Sequence, residues 1–250
     1  MFIKETDLFI ETLNFVKKNW IKLCLVSIFF SFTIIVSDYY IIPTIQKIYF
    51  TILRQDRNMY SLVNIFDLMT FSQQKTILQF SFLRNIFFII NLTFIIESIM
   101  MIIYFKVCEK KESLYKIYKM FFSIFPNLFL LIFFINLIIQ AGLVLLIFPA
   151  IIFSIFFSIS PIILIIERKG ILFSLKKSFL ICLSKYKELS FPIIMWLCSK
   201  FVLLMIGYIF SIRSENFFLF LYYIISNFFL CMLIVYLFKF YSLFNAIKKF

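Results

Sequence analysis

The chain has 250 residues, 64% of them hydrophobic and 39 of them phenylalanine, which exceeds the apolar share of a soluble domain. It contains no histidine, so a zinc site or a histidine-dependent catalytic triad is not expected. Its five cysteines are scattered without a CxxC pair, so a disulfide framework or a cysteine metal site is not expected either. The formal net charge of +13 is spread in short segments between apolar stretches, which favours membrane topology signals over nucleic-acid binding.

Six membrane spans are predicted along the chain. The segment before the first span carries acidic Glu5, Asp7 and Glu11 where a cleavable signal peptide is basic, so the first apolar segment is expected to remain as an anchor. The predicted spans cover about residues 20–42, 86–107, 123–143, 148–166, 191–211 and 217–238. The expected fold is an all-α integral membrane protein with six transmembrane helices in a single domain, residues 1–250.

The stretch from Phe121 to Ile166 carries most weight in this prediction. Its 46 residues include no charged side chain. A hydrocarbon core of about 30 Å is crossed by roughly 20 apolar residues as a helix, so the stretch has the length of two spans and must turn back within itself. The chain has only three glycines and three alanines, so close helix packing through small residues is not expected.

Basic residues predict the orientation of the spans. Eighteen of the 25 lysines and arginines lie in the N-terminal segment, the loops after spans two and four, and the C-terminus. Six lie on the opposite side, and Lys200 lies within span five. Because cytoplasmic loops carry the excess of basic residues, both termini are expected in the cytoplasm of a bacterial cell, with the protein in the inner membrane. Residues 43–85 then form an external loop, interpreted as a solvated connector rather than a partner-binding loop, with a short helix starting near Ser72.

Three segments on the cytoplasmic side are amphipathic and basic. Apolar residues recur at helical spacing opposite lysines, which is typical of helices that lie in the headgroup plane. We therefore expect Lys116, Lys119, Lys176 and Lys177 to contact anionic headgroups. Each segment precedes two spans, so the chain is interpreted as three helix-plus-hairpin units. The apolar positions are Phe9, Leu13, Val16 and Trp20, then Leu114, Ile117, Tyr118 and Phe121, then Leu172, Leu175, Phe179, Cys182 and Leu183.

Two ionisable residues, Glu97 and Lys200, fall near the middle of spans two and five. A lone charge at that depth costs about 2.5–3.5 kcal/mol on insertion scales, so a partner or a polar cavity is expected. One hypothesis is a Glu97–Lys200 pair that binds a substrate or relays a proton. The favoured alternative is a salt bridge that locks the two spans, or a snorkelling lysine and a protonated glutamate. Asn136, Gln140 and Asn227 are expected either to line a polar path or to bond between helices.

Four segments carry a resemblance to a known family. They are NIFDLMTFSQQKTILQ (64–79), LIIQAGLVLLIFPAIIFSIFFSISPIILIIERKGIL (137–172), WLCSKFVLLM (196–205) and ISNFFLCMLIVYLFKFYSLF (225–244). In this order and spacing they resemble the YciC family of enterobacterial inner-membrane proteins. The chain departs from that family at Pro149-Ala150, where Pro-Gly is usual. The resemblance implies a multi-span inner-membrane protein and transfers no catalytic or ligand-binding residue.

No motif of an enzyme is present in the sequence. Three glycines cannot form a phosphate-binding loop, and neither a nucleophile elbow nor paired carboxylates occur. Asp38, near the outer end of span one, is interpreted as an interfacial residue without a role. The protein is expected to be a non-enzymatic structural or accessory component of the membrane, without a cofactor, whose partners are lipids, a membrane protein or a second copy. The alternative is a small transporter that uses Glu97 and Lys200.

Overall fold

The computed structural model describes residues 5–55, 69–107, 114–210 and 215–247, and within them the chain forms eight α-helices and no strand. The helices are α1 (Glu5–Gln55), α2 (Phe71–Val107), α3 (Leu114–Leu145), α4 (Ile147–Phe157), α5 (Ser160–Glu167), α6 (Ile171–Ser184), α7 (Tyr186–Phe210) and α8 (Glu215–Ile247).

Six helical segments are long and apolar enough to cross a membrane, which confirms the predicted fold class. They run over 7–41, 71–106, 118–145, 147–167, 186–207 and 218–245. The fourth is built from α4 and α5, which are separated by Ser158 and Ile159. Pro161 lies in the first turn of α5, where its missing N–H removes no helical hydrogen bond.

The six segments form one bundle with two distinct ends. α1 packs mainly against α8 and α2, α3 packs against α2 and α4, and α7 lies at the edge against α8. We call the end where α1 begins and α8 ends the basal end. There Lys239 of α8 pairs with Glu11 of α1, with 3.1 Å between Nζ and Oε2. The opposite end is called the distal end.

The predicted turn within the uncharged stretch is a hairpin between α3 and α4. Only Leu146 separates the two helices, and its backbone is extended, with φ −166° and ψ 160°. Gly142 makes the turn possible, because a Cβ added there would lie 2.9 Å from the backbone nitrogen of Ala150. The two helices therefore approach each other at a residue without a side chain.

The three amphipathic segments differ in how they join the spans. The segment at 170–183 forms the separate helix α6. The other two continue into their spans: α1 has only a kink at Asn19, whose φ and ψ are −124° and 19°, and α3 runs from Leu114 through Pro126. In the N-terminal segment the buried face is formed by Leu8, Thr12 and Val16, while the predicted apolar positions Phe9, Leu13 and Trp20 are exposed.

The predicted external loop at 43–85 is helical at both ends. α1 continues through Pro43 to Gln55, and α2 begins at Phe71 and runs directly into its span. A capping box starts α2: the Gln73 N–H donates to Thr70 Oγ1 at 3.4 Å, and the Thr70 N–H donates to Gln73 Oε1 at 3.0 Å. The prediction of a short helix starting near Ser72 was therefore wrong about its length, because this helix continues into the span. Residues 56–68 of this loop lie outside the described residues.

Candidate functional site

A polar cavity of about 730 Å³ opens at the distal end of the bundle. Residues from α1, α2, α3, α7 and α8 contribute to its wall, so five of the six spans meet there. Its polar side chains include Asp38, Arg84, Asn85, Gln140, Lys200 and Tyr223. Pockets of several hundred Å³ are typical of sites that bind small ligands.

Asp38 is the hydrogen-bonding centre of this cavity. Its Oδ1 accepts from Arg84 Nε at 2.9 Å, and its Oδ2 accepts from Arg84 Nη2 at 3.4 Å. The Tyr223 hydroxyl donates to the same Oδ2 at 2.8 Å. Asp38 is only 8% exposed, whereas the Arg84 side chain is half exposed. The interpretation of Asp38 as an interfacial residue without a role was wrong, because this carboxylate joins α1 to both α2 and α8.

Amide side chains add further bonds between the spans. Asn136 and Gln140, one turn apart on α3, both donate to Asn85 Oδ1 of α2, at 3.0 and 3.2 Å. Asn227 of α8 donates to Ser31 Oγ of α1 at 2.9 Å. All three amides thus bond between helices, which is one of the two roles that the sequence left open, and Gln140 and Asn227 also line the polar cavity, which is the other. Bonds of this kind average about 0.6 kcal/mol in membrane proteins, and the strongest contribute about 1.7 kcal/mol.

Lys200 reaches the cavity from α7. Its Nζ lies 4.1 Å from the ring centroid of Trp196, one turn earlier on the same helix, which is a cation–π contact. Among the described residues, no carboxylate lies within 4.0 Å of its Nζ. Among the residues that the structure describes, the cavity wall therefore carries two cationic groups, Arg84 and Lys200, and one carboxylate, which is already bonded to Arg84.

Glu97 lies apart from this cavity. It is 7% exposed, and its Oε1 has no hydrogen-bond partner in the described part of the chain. Thirteen residues separate it from Arg84 on α2, which is about 20 Å along a helix axis. The structure forms no ion pair between Glu97 and Lys200, and α2 packs against α1, α3 and α8 rather than α7. Neither the substrate-binding pair nor the lock between spans two and five is therefore formed here.

A second cluster at the basal end joins α5, α6 and α8. The Lys177 ammonium and the Tyr241 hydroxyl both donate to Glu167 Oε1. Burial lowers the pKa of Lys177, but the hydrogen bonds with Glu167 and Tyr241 outweigh this effect and raise the pKa above its usual value. The sequence indicated Lys177 only as a headgroup contact, and in the structure its ammonium bonds within the protein.

The remaining predicted headgroup contacts differ from Lys177. Lys119 on α3 and Lys176 on α6 are exposed. Lys116 lies on α3, and its side chain is outside the described part of the structure. In the described residues there is no group of three or more cysteine, aspartate or glutamate side chains placed to hold a metal ion. Apart from Glu97 and the exposed lysines, the polar side chains described here bond between helices or line the cavity.

Comparison with known proteins agrees with this architecture. The model of UPF0259, described as an uncharacterised protein family, matches residues 1–243. A UPF0259 membrane protein of Buchnera aphidicola subsp. Acyrthosiphon pisum (strain Tuc7) is 33% identical over 94% of this chain and 95% of its own length. The UPF0259 membrane protein of Buchnera aphidicola subsp. Baizongia pistaciae is 31% identical over both complete chains.

A relative from a different genus extends the likeness. A UPF0259 membrane protein of Pectobacterium carotovorum subsp. carotovorum (strain PC1) is 24% identical over 98% of this chain and 100% of its own length. No solved structure matches. YciC is the UPF0259 member that the sequence resembled, so the resemblance is confirmed. The chain belongs to the UPF0259 family of multi-pass membrane proteins.

Proposed function

We propose that this protein is a non-enzymatic accessory component of the bacterial inner membrane that acts through contacts with lipid or with another membrane protein. The observation that carries the proposal is the use of the polar groups within the spans. These polar side chains bond to one another or to neighbouring helices; they are Asp38, Arg84, Asn85, Asn227 and Tyr223. Side chains committed in this way hold helices together and leave a cavity suited to binding rather than to bond-making chemistry.

The orientation belongs to the same proposal. Both termini lie in the cytoplasm, so the basal end faces the cytoplasm and the distal cavity opens toward the outer leaflet. The distribution of lysine and arginine supports this orientation, because basic residues accumulate on the cytoplasmic side. Reporter fusions after Ile247 and within residues 56–68 test it directly. A reporter that is active only in the cytoplasm should work at the first position and fail at the second, and the reverse result would overturn the orientation.

The basal lysines contact anionic headgroups in this proposal. Lys119 and Lys176 are exposed and free to reach a lipid surface, whereas Lys177 is engaged by Glu167. Lys176→Gln should therefore weaken the retention of anionic lipid more than Lys177→Gln does. Lys177→Gln should instead lower the free energy of unfolding, because it leaves the Glu167 carboxylate without its ammonium partner. Equal effects of the two changes on lipid retention would contradict this assignment.

The accessory role is tested by gentle purification of the full chain from native membranes. We expect a membrane protein or a defined set of lipids to be recovered at stoichiometric levels, measured by mass spectrometry of the intact complex. A variant with Lys119 and Lys176 both changed to glutamine is the control, and it should recover less of the lipid that binds at the basal end. Recovery of the chain alone, with neither protein nor lipid, would overturn the accessory role.

A transporter that uses Glu97 and Lys200 is the second candidate. Two observations favour it: the buried Oε1 of Glu97 has no partner among the described residues, and Lys200 lines an open polar cavity. A transport path must bring water to Glu97. In a background without native cysteines, Thr93→Cys, one turn from Glu97, should react with a water-soluble thiol reagent if such a path exists. Ser81→Cys, at an exposed position on the cavity wall, is the positive control, and protection of Thr93→Cys alone would exclude this candidate.

A further inference from the structure

We propose that the distal cavity binds the phosphate headgroup of an anionic phospholipid, with Lys200 and Arg84 as the groups that contact the phosphate. The inference deepens the proposed accessory function, on which it rests, because it names the lipid and the place where it binds. Two observations carry it: the charge of the cavity wall and an apolar groove that adjoins the cavity.

The cavity wall has an excess of positive charge. Asp38 is its carboxylate, and both oxygens of Asp38 accept hydrogen bonds from Arg84, with Tyr223 as a third donor. Lys200 has no carboxylate within ion-pair distance among the described residues, and its ammonium lies over the ring of Trp196. A cation in a partly desolvated wall attracts an anion strongly, since charges interact more strongly there than in water.

Arg84 is placed to contribute a second contact. Its Nε and Nη2 bond to Asp38, half of its side chain remains exposed, and the residue lines the cavity. A guanidinium has five N–H donors, so donors remain for a phosphate oxygen after Asp38 is satisfied. Asp38 thereby orients Arg84, and Lys200 supplies the net charge that selects an anion.

The apolar groove explains why the ligand is a lipid rather than a soluble anion. A groove of about 690 Å³ runs between α1 and α2, and Val36, Phe87, Ile90 and Phe94 contribute to its wall. Ser37 and Asn91 line both the groove and the polar cavity, so the two spaces lie next to each other. A phospholipid has this same arrangement, with a phosphate at one end and acyl chains at the other. The groove therefore accommodates a chain while the headgroup occupies the cavity.

The experiment compares lipids and anions on the purified full chain with Lys119 and Lys176 both changed to glutamine, so that the proposed basal headgroup contacts do not add to the binding. Delipidated protein in a neutral detergent is mixed with phosphatidylglycerol, with phosphatidylcholine or with inorganic phosphate, and binding is measured by native mass spectrometry and by lipid titration. Phosphatidylglycerol should bind more tightly than phosphatidylcholine, because the ammonium of the latter cancels the charge that Lys200 recognises. Inorganic phosphate should bind at least tenfold more weakly than phosphatidylglycerol, since it gains nothing from the groove.

Two variants separate the headgroup contact from the groove. Lys200→Met should weaken phosphatidylglycerol binding by about tenfold or more, the effect expected for a charge-assisted hydrogen bond. Lys75→Met, which removes an exposed lysine outside the cavity, is its control and should leave binding unchanged. Val36→Trp fills the groove and should weaken the binding of phosphatidylglycerol but not that of inorganic phosphate. Val202→Trp, on the exposed face of α7, should weaken neither.

The following results would contradict either the inference or the accessory function on which it rests. Equal binding of the two lipids, or no difference between Lys200→Met and Lys75→Met, would remove the headgroup site. Phosphate binding as tight as lipid binding, unaffected by Val36→Trp, would show a site for a soluble anion. A stoichiometric protein partner recovered together with unselective lipid binding would overturn this inference and leave the accessory function standing. Reaction of Thr93→Cys with the water-soluble reagent would instead count against the accessory function.

Discussion

Replacing Gly142 by alanine tests the close approach of α3 and α4. The new Cβ would lie 2.9 Å from the backbone nitrogen of Ala150 and 3.0 Å from its Cα. Rotation of a side chain cannot relieve a contact with backbone atoms, so the cost lies in the upper part of the range of about 1–3 kcal/mol for overpacking. Alanine gains about 1 kcal/mol over glycine within a helix. We therefore expect Gly142→Ala to lower the free energy of unfolding by about 1–2 kcal/mol.

Gly207→Ala is the matched control for this change. Its Cβ would lie even closer to a neighbour, 2.2 Å from Cε1 of Phe218, but that atom is at the far end of a side chain. The Phe218 ring can rotate away, so the gain in helix propensity should offset more of the cost. Titration with sodium dodecyl sulfate in mixed micelles, followed by circular dichroism, gives both free energies of unfolding. A Gly142→Ala protein as stable as the native chain would refute the explanation of the hairpin.

Two further predictions concern the buried polar groups. Arg84→Met should lower the free energy of unfolding by about 1–3 kcal/mol, because it leaves the Asp38 carboxylate short of hydrogen-bond donors. Adding Asp38→Asn should recover part of this loss. If the effects of the two single changes simply add in the same titration, the two residues do not stabilise the protein as a pair. Burial raises the pKa of the Cys182 thiol, on α6, to about 12. The thiol is therefore protonated at pH 8, and its alkylation should appear only as the pH rises toward that value, whereas Leu183→Cys, at an exposed position beside it, should be alkylated at pH 8.

The number and order of the spans could be predicted because their signal is local. A run of about 20 apolar residues indicates a span wherever it occurs, and no distant residue has to be known. Helix ends within the 43–85 segment were less predictable. The capping box at Thr70 and Gln73 is a local signal that was available in the sequence, since threonine followed three residues later by glutamine is a recognised helix start. The extension of α1 beyond Pro43 had no such signal.

The polar cluster depends on contacts between residues far apart in the chain. Arg84 and Tyr223 are separated from Asp38 by 46 and 185 positions. One signal for the first contact was present: Asp38 lies near the outer end of span one, and Arg84 lies just before span two. Spans that run in opposite directions bring these two positions to the same level of the bundle. Tyr223 could not be assigned in this way, because pairing α8 with α1 is a property of the fold.

Small hydroxyl side chains are buried between the helices of this chain, which has little glycine and alanine. Ser27 and Ser31 on α1 and Thr93 on α2 are completely buried. Each hydroxyl donates to a carbonyl of its own helix, at 2.8, 2.6 and 2.7 Å respectively, so none of these three donors is left without an acceptor. A serine satisfied in this way presents almost as small a surface as alanine, which allows a neighbouring helix to approach. Ser31 also accepts from Asn227 of α8, so the same residue gives both the close approach and a bond between the helices. The expectation from composition counted only glycine and alanine, and the structure adds buried serine and threonine to the small residues between the helices.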